Sequence, residues 1–124
     1  MALDDITLAD GAGTPADHVF EFVSQGNGKV TRADMAADPE EPIHLIIGHQ
    51  TRKFGSYNGQ SHLLRFDWTV LDADGVTPHQ ANIRVMVDLP DRIRSDTLAK
   101  DMAAFVRNAL TEARIMALIR GSNE

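Results

Sequence analysis

The sequence predicts an α+β fold: an antiparallel β-sheet of about five strands with an N-terminal β-hairpin, followed by two C-terminal helices. Three observations predict it. The pairs Asp10-Gly11, Asn27-Gly28, Asn58-Gly59 and Asp74-Gly75 cut the first two-thirds of the chain into short pieces, because each tolerates the positive φ of a tight turn. Between these marks apolar residues recur with a period near two, as on a half-buried strand. After Pro90 the period changes to about 3.6, as on a helix.

The elements follow in order. Ile6 to Ala9 and His18 to Ser24 form the N-terminal hairpin, within residues 1–25. Lys29 to Ala33, Ile43 to Lys53, Ser61 to Leu71 and Gln80 to Leu89 form the main sheet, residues 28–89. The acidic stretch RADMAADPEEP, Arg32 to Pro42, carries two prolines and reads as a loop running into the fourth strand. In the fifth strand Leu64, Phe66, Trp68 and Val70 oppose Leu63, Arg65, Asp67 and Thr69. In the sixth, Ile83, Val85, Val87 and Leu89 oppose Asn82, Arg84, Met86 and Asp88. One sheet face is therefore apolar and the other mixed polar. The fourth strand does not choose, since His44, Ile46 and Gly48 alternate against Leu45, Ile47 and His49.

In residues 95–120, Leu98, Met102, Phe105, Val106, Ala109 and Leu110, then Ala113, Met116 and Ile119, trace a helical stripe. Ser95 suits an N-cap with Asp96 in the first turn, and Gly121 suits a C-terminal stop. Thr111 before Glu112 divides the stretch into Asp96 to Leu110 and Glu112 to Arg120, with one continuous helix as the competing reading. Trp68 and Phe105 are expected in the core between sheet and helices. Two short helices cover about half of such a sheet and its edge strands stay open to pairing, so a symmetric dimer sharing edges and helices is expected.

Length and charge bound the function. With 124 residues the chain makes one domain, 1–124. The absence of cysteine excludes disulfides, thiolate zinc sites and a thiol nucleophile. A formal charge of −6 excludes a generic polybasic binder of nucleic acid or membrane, so a polyanion would have to be held by a local patch. Apolar runs such as Ile115 to Ile119 fall far short of the ~20 residues of a membrane span. The start, Met1-Ala2-Leu3-Asp4-Asp5, has no basic n-region, from which no signal peptide and a cytoplasmic product are expected.

Little points to catalysis. The five histidines show no HxH or HExxH spacing. A metal site would require His49 and His62 to meet across neighbouring strands with a carboxylate such as Asp67, and ordinary surface or interface histidines are the simpler reading. Asp72-Ala73-Asp74-Gly75 lacks the closing glutamate of a calcium loop, and Gly11-Ala12-Gly13 lacks the third glycine of a dinucleotide fingerprint; both read as turns. No serine sits in an elbow motif. The chain is expected not to be an enzyme, with no metal and no cofactor. The cations are more informative: Arg65 and Arg84 lie on the polar parity of adjacent strands, with Asn82 and His49 near. Arginine reaches phosphates, asparagine reads a base edge, and a flat sheet suits an RNA loop. A solvated face with ion pairs to Asp67 and Asp88 is the plainer alternative.

Taken in order, the N-terminal hairpin from Ile6-Thr7-Leu8 to His18 through Val23, the Asn27-Gly28 entry, the strand ending near His49-Gln50, the long Leu63 to Val70 strand, the Gln80 to Val85 strand and the helix containing Ala104-Phe105-Val106-Arg107 resemble the coat proteins of single-stranded RNA bacteriophages, leviviruses and allies. The last two pieces look most similar to the allolevivirus branch. The resemblance covers nearly the whole chain. It implies an interlocked homodimer in which each subunit's helices pack over its partner's sheet, dimers that assemble into an icosahedral shell around genomic RNA in the host cytoplasm, and a structural protein of the virion. It further implies that the polar sheet face looks inward and that a dimer binds an RNA stem-loop to repress replicase translation.

By the same resemblance, His49, Arg65, Asn82 and Arg84 are the RNA-binding residues. Leu45 and Ile47 fall where the family has small hydroxyl residues lining an adenine pocket, and Leu63 at a related polar position, so base recognition would differ. A register shifted by one residue, with His44, Ile46 and Gly48 inward, is the alternative. The loop from Asp72 to His79, which resembles the one meeting at symmetry axes, carries no cysteine for cross-linking. Two rival readings remain open from sequence: a small dimeric α+β ligand-binding domain or enzyme of bacterial origin, and an RNA-binding repressor that does not assemble.

Overall fold

In the computed structural model, which describes residues 5–11, 14, 16–34 and 37–121, six strands follow one another as an antiparallel meander. They are β1 (Ile6–Ala9), β2 (Asp17–Gly26), β3 (Lys29–Asp34), β4 (Ile43–Phe54), β5 (Tyr57–Leu71) and β6 (Pro78–Pro90). A 3-10 turn, Asp91–Ile93, leads to α1 (Asp96–Ala109) and α2 (Glu112–Ile119). The start Met1 to Asp4, Ala12 and Gly13 of the expected glycine turn, and Met35 and Ala36 of the acidic loop lie outside the described residues. The expected α+β order holds. The hairpin is no appendage, however: β2 pairs with β3 as well as β1, which makes the sheet six-stranded.

Local chemistry explains the turns. Asn27 (φ 54°) and Gly28 (φ 73°) form a two-residue connection whose paired positive φ values match the twist of the flanking strands. The Asn58-Gly59 pair is not the β4–β5 turn expected from sequence. Gly55 (φ 63°) and Ser56 make that turn, while Asn58 and Gly59 pair with Lys53 and Arg52 inside the ladder. Gly59 serves close approach instead, since a Cβ there would meet the Phe54 ring at 2.4 Å and the Leu89 carbonyl oxygen at 2.6 Å.

The two helices are separate. The Ser95 hydroxyl accepts from the Leu98 N–H at 3.1 Å and the Thr111 hydroxyl from the Arg114 N–H at 3.3 Å, so each helix begins with its own cap. Gly121, at φ 79°, closes the second.

The ladder fixes both faces. Ile43, Leu45 and Ile47 stand opposite Trp68, Phe66 and Leu64, which in turn oppose Ala81, Ile83 and Val85. Phe20 meets Phe66 edge-to-face with ring centroids 5.9 Å apart, and Phe66 stacks on Trp68 at 5.7 Å. Phe20 and Phe66 belong to β2 and β5, which a flat sheet would hold about 14 Å apart. The sheet therefore curls toward its apolar face. The result is an open depression of about 470 Å³ lined by residues including Leu8, Phe20, Ile43, Phe66, Trp68 and Ile83.

The helices do not fill it. Neither α1 nor α2 contains a buried residue, and Phe105, expected in the core, is 73% exposed. The correction has a physical reason: the stripe is amphipathic as read, but neither helix packs against the sheet within this chain, so its apolar side stays uncovered. Trp68 is half-buried in the depression. Among the described residues only Phe20, Leu45 and Ile46 are buried apolar side chains, a small core for a chain of 124 residues.

Candidate nucleic-acid interface

The opposite face of the sheet carries the polar residues. Its rows, read across β4, β5 and β6, are His44, Asp67 and Asn82; Ile46, Arg65 and Arg84; Gly48, Leu63 and Met86; and Gln50, Ser61 and Asp88. The structure thus brings Arg65, Asn82 and Arg84 together, two of them directly opposite and the third one row along. Arg65 and Arg84 are a like-charged cross-strand pair, an arrangement that costs stability unless something negative lies between or above them. Asp67 supplies part of this: its carboxylate, on a buried residue, lies 3.2 Å from Arg65 Nη2. Arg65 Nε is buried and has no hydrogen-bond partner. Arg84 is exposed, and among the described residues it forms no ion pair.

Asp88 is committed elsewhere. The Ser61 hydroxyl donates to it at 2.6 Å and Arg52 sits 2.8 Å away, and these two, the hydroxyl first, hold its carboxyl below the usual range. The ion pairs anticipated at Asp67 and Asp88 therefore exist, but Asp88 neutralises Arg52 and leaves Arg84 uncompensated. Between the rows, Lys29, Gly48, Leu63 and Met86 help line a shallow depression of about 160 Å³.

His49 borders that depression, but its imidazole does not belong to this surface. It pairs with His62, on the parity of Leu45, Ile47, Leu64 and Phe66, so its imidazole lies on the apolar side of the sheet. The alternative register is the one adopted, with His44, Ile46 and Gly48 on the polar face and Leu45, only 1% exposed, on the other. The fourth strand's own pattern could not decide because both of its faces carry aliphatic and histidine residues; the pairing with β5 decides. The missing hydroxyls at Leu45 and Ile47 consequently bear on the core and not on a base pocket. The His49 and His62 rings meet instead, Nδ1 to Nδ1 at 2.7 Å with centroids 4.9 Å apart. Asp67, considered above as their third ligand, is on the far face. Among the described residues no group of three or more His, Cys, Asp or Glu side chains could hold a metal ion.

Two features were missed in the sequence. Lys29 and Thr31 share the polar parity through their pairing with Gly48 and Ile46, and the Asn27-Gly28 turn would have given that parity once the β4 register was known. His18 bridges Asp10, 2.7 Å from its Nε2, and Asp34, bonded to its Nδ1; both carboxylates, Asp10 first, raise its pKa. No sequence spacing announces that bridge, because it joins a loop to a third strand. At the other end of the sheet Asp74 accepts from Thr77 and Val76 backbone N–H groups and the Thr77 hydroxyl, which lowers its pKa and confirms the turn reading of that loop.

Neither a protein-family model nor a curated protein sequence matches the chain. Solved structures match it along nearly its whole length. The virus-like particle of bacteriophage ESE058 superposes with a TM-score of 0.73 at 15% identity, covering 94% of each chain. The virus-like particle of bacteriophage AVE019 gives 0.71 at 16% identity, covering 100% of this chain and 99% of the other. The capsid protein of bacteriophage GA gives 0.62 at 17% identity, covering 98% and 96%. The chain has the fold of phage coat subunits.

Proposed function

We propose that this chain, built on the coat-subunit fold, is itself the capsid protein of an RNA bacteriophage. It assembles as dimers into a shell in the bacterial host cytoplasm and packages genomic RNA against the polar face of its sheet. The observation that carries the reading is the unfinished interior: an apolar depression on the sheet and two amphipathic helices in which no residue is fully buried within its own chain. A second copy satisfies both, its helices over this sheet and this chain's helices over its sheet, as in an isologous dimer. β6, thirteen residues long and paired on one side only, offers an edge that a twofold copy would continue.

The polar face supplies the second half. Opposed Arg65 and Arg84 are relieved by phosphate, exposed Asn82 beside them can read a base edge, and the Leu63 and Met86 floor with Lys29 suits an unstacked base. An RNA stem-loop laid on this surface would also give the translational repressor activity that the resemblance implies. The role is structural, not catalytic.

Expression in bacteria followed by electron microscopy tests this directly. Uniform shells containing nuclease-protected RNA are expected. Discrete small dimers that never close would favour the ligand-binding domain, and RNA affinity without shells the free repressor.

A further inference from the structure

We propose that His49 and His62 form a two-nitrogen chelate for a late divalent transition-metal ion, copper(II) foremost. The two residues are register partners in the β4–β5 ladder, so their Cα positions are set by backbone hydrogen bonding on both sides. The His49 N–H donates to the Gly28 carbonyl at 2.9 Å, and His62 is flanked by Val87 of β6. Their Nδ1 atoms lie 2.7 Å apart, which is a hydrogen bond with one imidazole N–H donating to the other ring's lone pair. The two nitrogens thus face each other across one shared proton, and a cation that displaces it can use both lone pairs once the rings tilt off the line joining them. Among the described residues neither ring has another hydrogen-bond partner.

The separation discriminates between metals. With metal–nitrogen bonds of about 2.0–2.1 Å, adjacent ligands lie about 2.9 Å apart in a square or tetragonal site and about 3.3–3.4 Å apart in a tetrahedral one. The first needs an opening of about 0.2 Å from the present separation together with a tilt of both rings; the second needs the same tilt and about 0.6 Å. Square and tetragonal nitrogen sites suit copper(II) and nickel(II), and copper(II) binds nitrogen ligands most tightly of the first-row divalent ions. Asp67, on the opposite face, cannot complete a three-residue site, so the remaining positions stay open to water. The pair lies on the same face as the apolar depression, about 14 Å along β5 from Phe66 in its lining, with His49 exposed.

The test is a titration of the purified full-length protein with copper(II) chloride in a non-coordinating buffer, followed by calorimetry and electron paramagnetic resonance. One copper per chain is expected, with a spectrum showing two nitrogen ligands. His49→Gln and His62→Gln should each weaken binding by about 10- to 100-fold, at least the loss that follows removal of an outer-shell partner. His79→Gln, on the distant loop, should leave it unchanged. Far-ultraviolet circular dichroism of each variant reports that the sheet is retained. If copper binds the His49→Gln, His62→Gln double variant as tightly as the parent, or the parent's spectrum survives in it, the chelate does not exist. The pair lies on the face that a partner's helices would approach in the proposed dimer, so the titration is run on dimers and on assembled shells, and copper bound in neither refutes the chelate while leaving the assembly reading to electron microscopy.

Discussion

Truncating Phe105 to alanine separates a chain that is complete alone from one that is completed by a copy of itself. Within the single chain this side chain is 73% exposed, so only about a quarter of its burial free energy is realised there. At about 1.5–3 kcal/mol for full burial of such a side chain, the loss would be below about 1 kcal/mol. If α1 instead covers a partner's sheet, the same truncation costs about 3–5 kcal/mol, and a twofold dimer loses it twice, about 6–10 kcal/mol. That approaches the whole stability of a small domain. Urea unfolding of parent and variant at protein concentrations about a hundredfold apart distinguishes the cases. A dimer that folds as it forms loses about 2.7 kcal/mol over that dilution, so its midpoint moves with concentration. The variant should sediment as unfolded or aggregated chain at the lower concentration. A midpoint indifferent to concentration, together with a Phe105→Ala shift below about 1 kcal/mol, would refute the packing argument.

Three further outcomes are expected. Replacing Arg65 and Arg84 together by alanine should flatten the dependence of log K on log salt for RNA binding by about 1.4–1.8 in filter assays on disassembled dimers, whereas Asn82→Ala should change discrimination between loops at an unchanged slope; an unchanged slope in the double variant removes both arginines from the interface. His18, whose pKa is raised by Asp10 and Asp34, should contribute stability fully below its unfolded value near 6.5 and lose it as pH rises through the higher folded value, so the difference in Tm between parent and His18→Gln should shrink from acidic to alkaline pH. Asp88 has the opposite sign: lowered from 3.8 by Ser61 and Arg52, it stabilises above that value and ceases to as pH falls through the depressed one, so Ser61→Ala should be less stable than the parent at neutral pH and converge with it in acid.

Period and punctuation made most of the fold legible. Strand and helix segments emerged to within a few residues because Leu64 through Val70 alternate cleanly and because Ser95 and Thr111 each precede an acidic first turn. What stayed hidden was decided by partners far along the chain. The β4 register depends on Ile46 facing Arg65, a pairing that neither strand announces when both parities hold aliphatic residues. Asn58-Gly59 resembled a turn because the pair is permissive, whereas its glycine is required by the Phe54 ring across the ladder. Of the candidate site, the shared face of Arg65, Asn82 and Arg84 is legible because β5 and β6 each alternate strongly, while the side of His49 carries the ambiguity of β4.

The depression on the sheet and the bare helix stripe have a common consequence for folding. Phe105, Val106, Leu110, Met116, Leu118 and Ile119 all remain substantially exposed, between 39% and 74%. Burying what they still expose contributes about 5–10 kcal/mol per chain, before the facing sheet residues are considered. This is as large as the net stability of many whole domains, so in the proposed dimer much of the stabilising free energy would lie between copies. Folding and association would then be one event whose midpoint depends on concentration, the dependence that the dilution experiment reads. The opposed arginines apply the same logic to the other face: Asp67 compensates Arg65 in part, and an anion lying across Arg65 and Arg84 would relieve the rest of their repulsion. On the proposed reading such a subunit would pair through its apolar face and close around a polyanion with its polar one, and the alternation of residues along β5 and β6 keeps the two surfaces on opposite sides of the sheet.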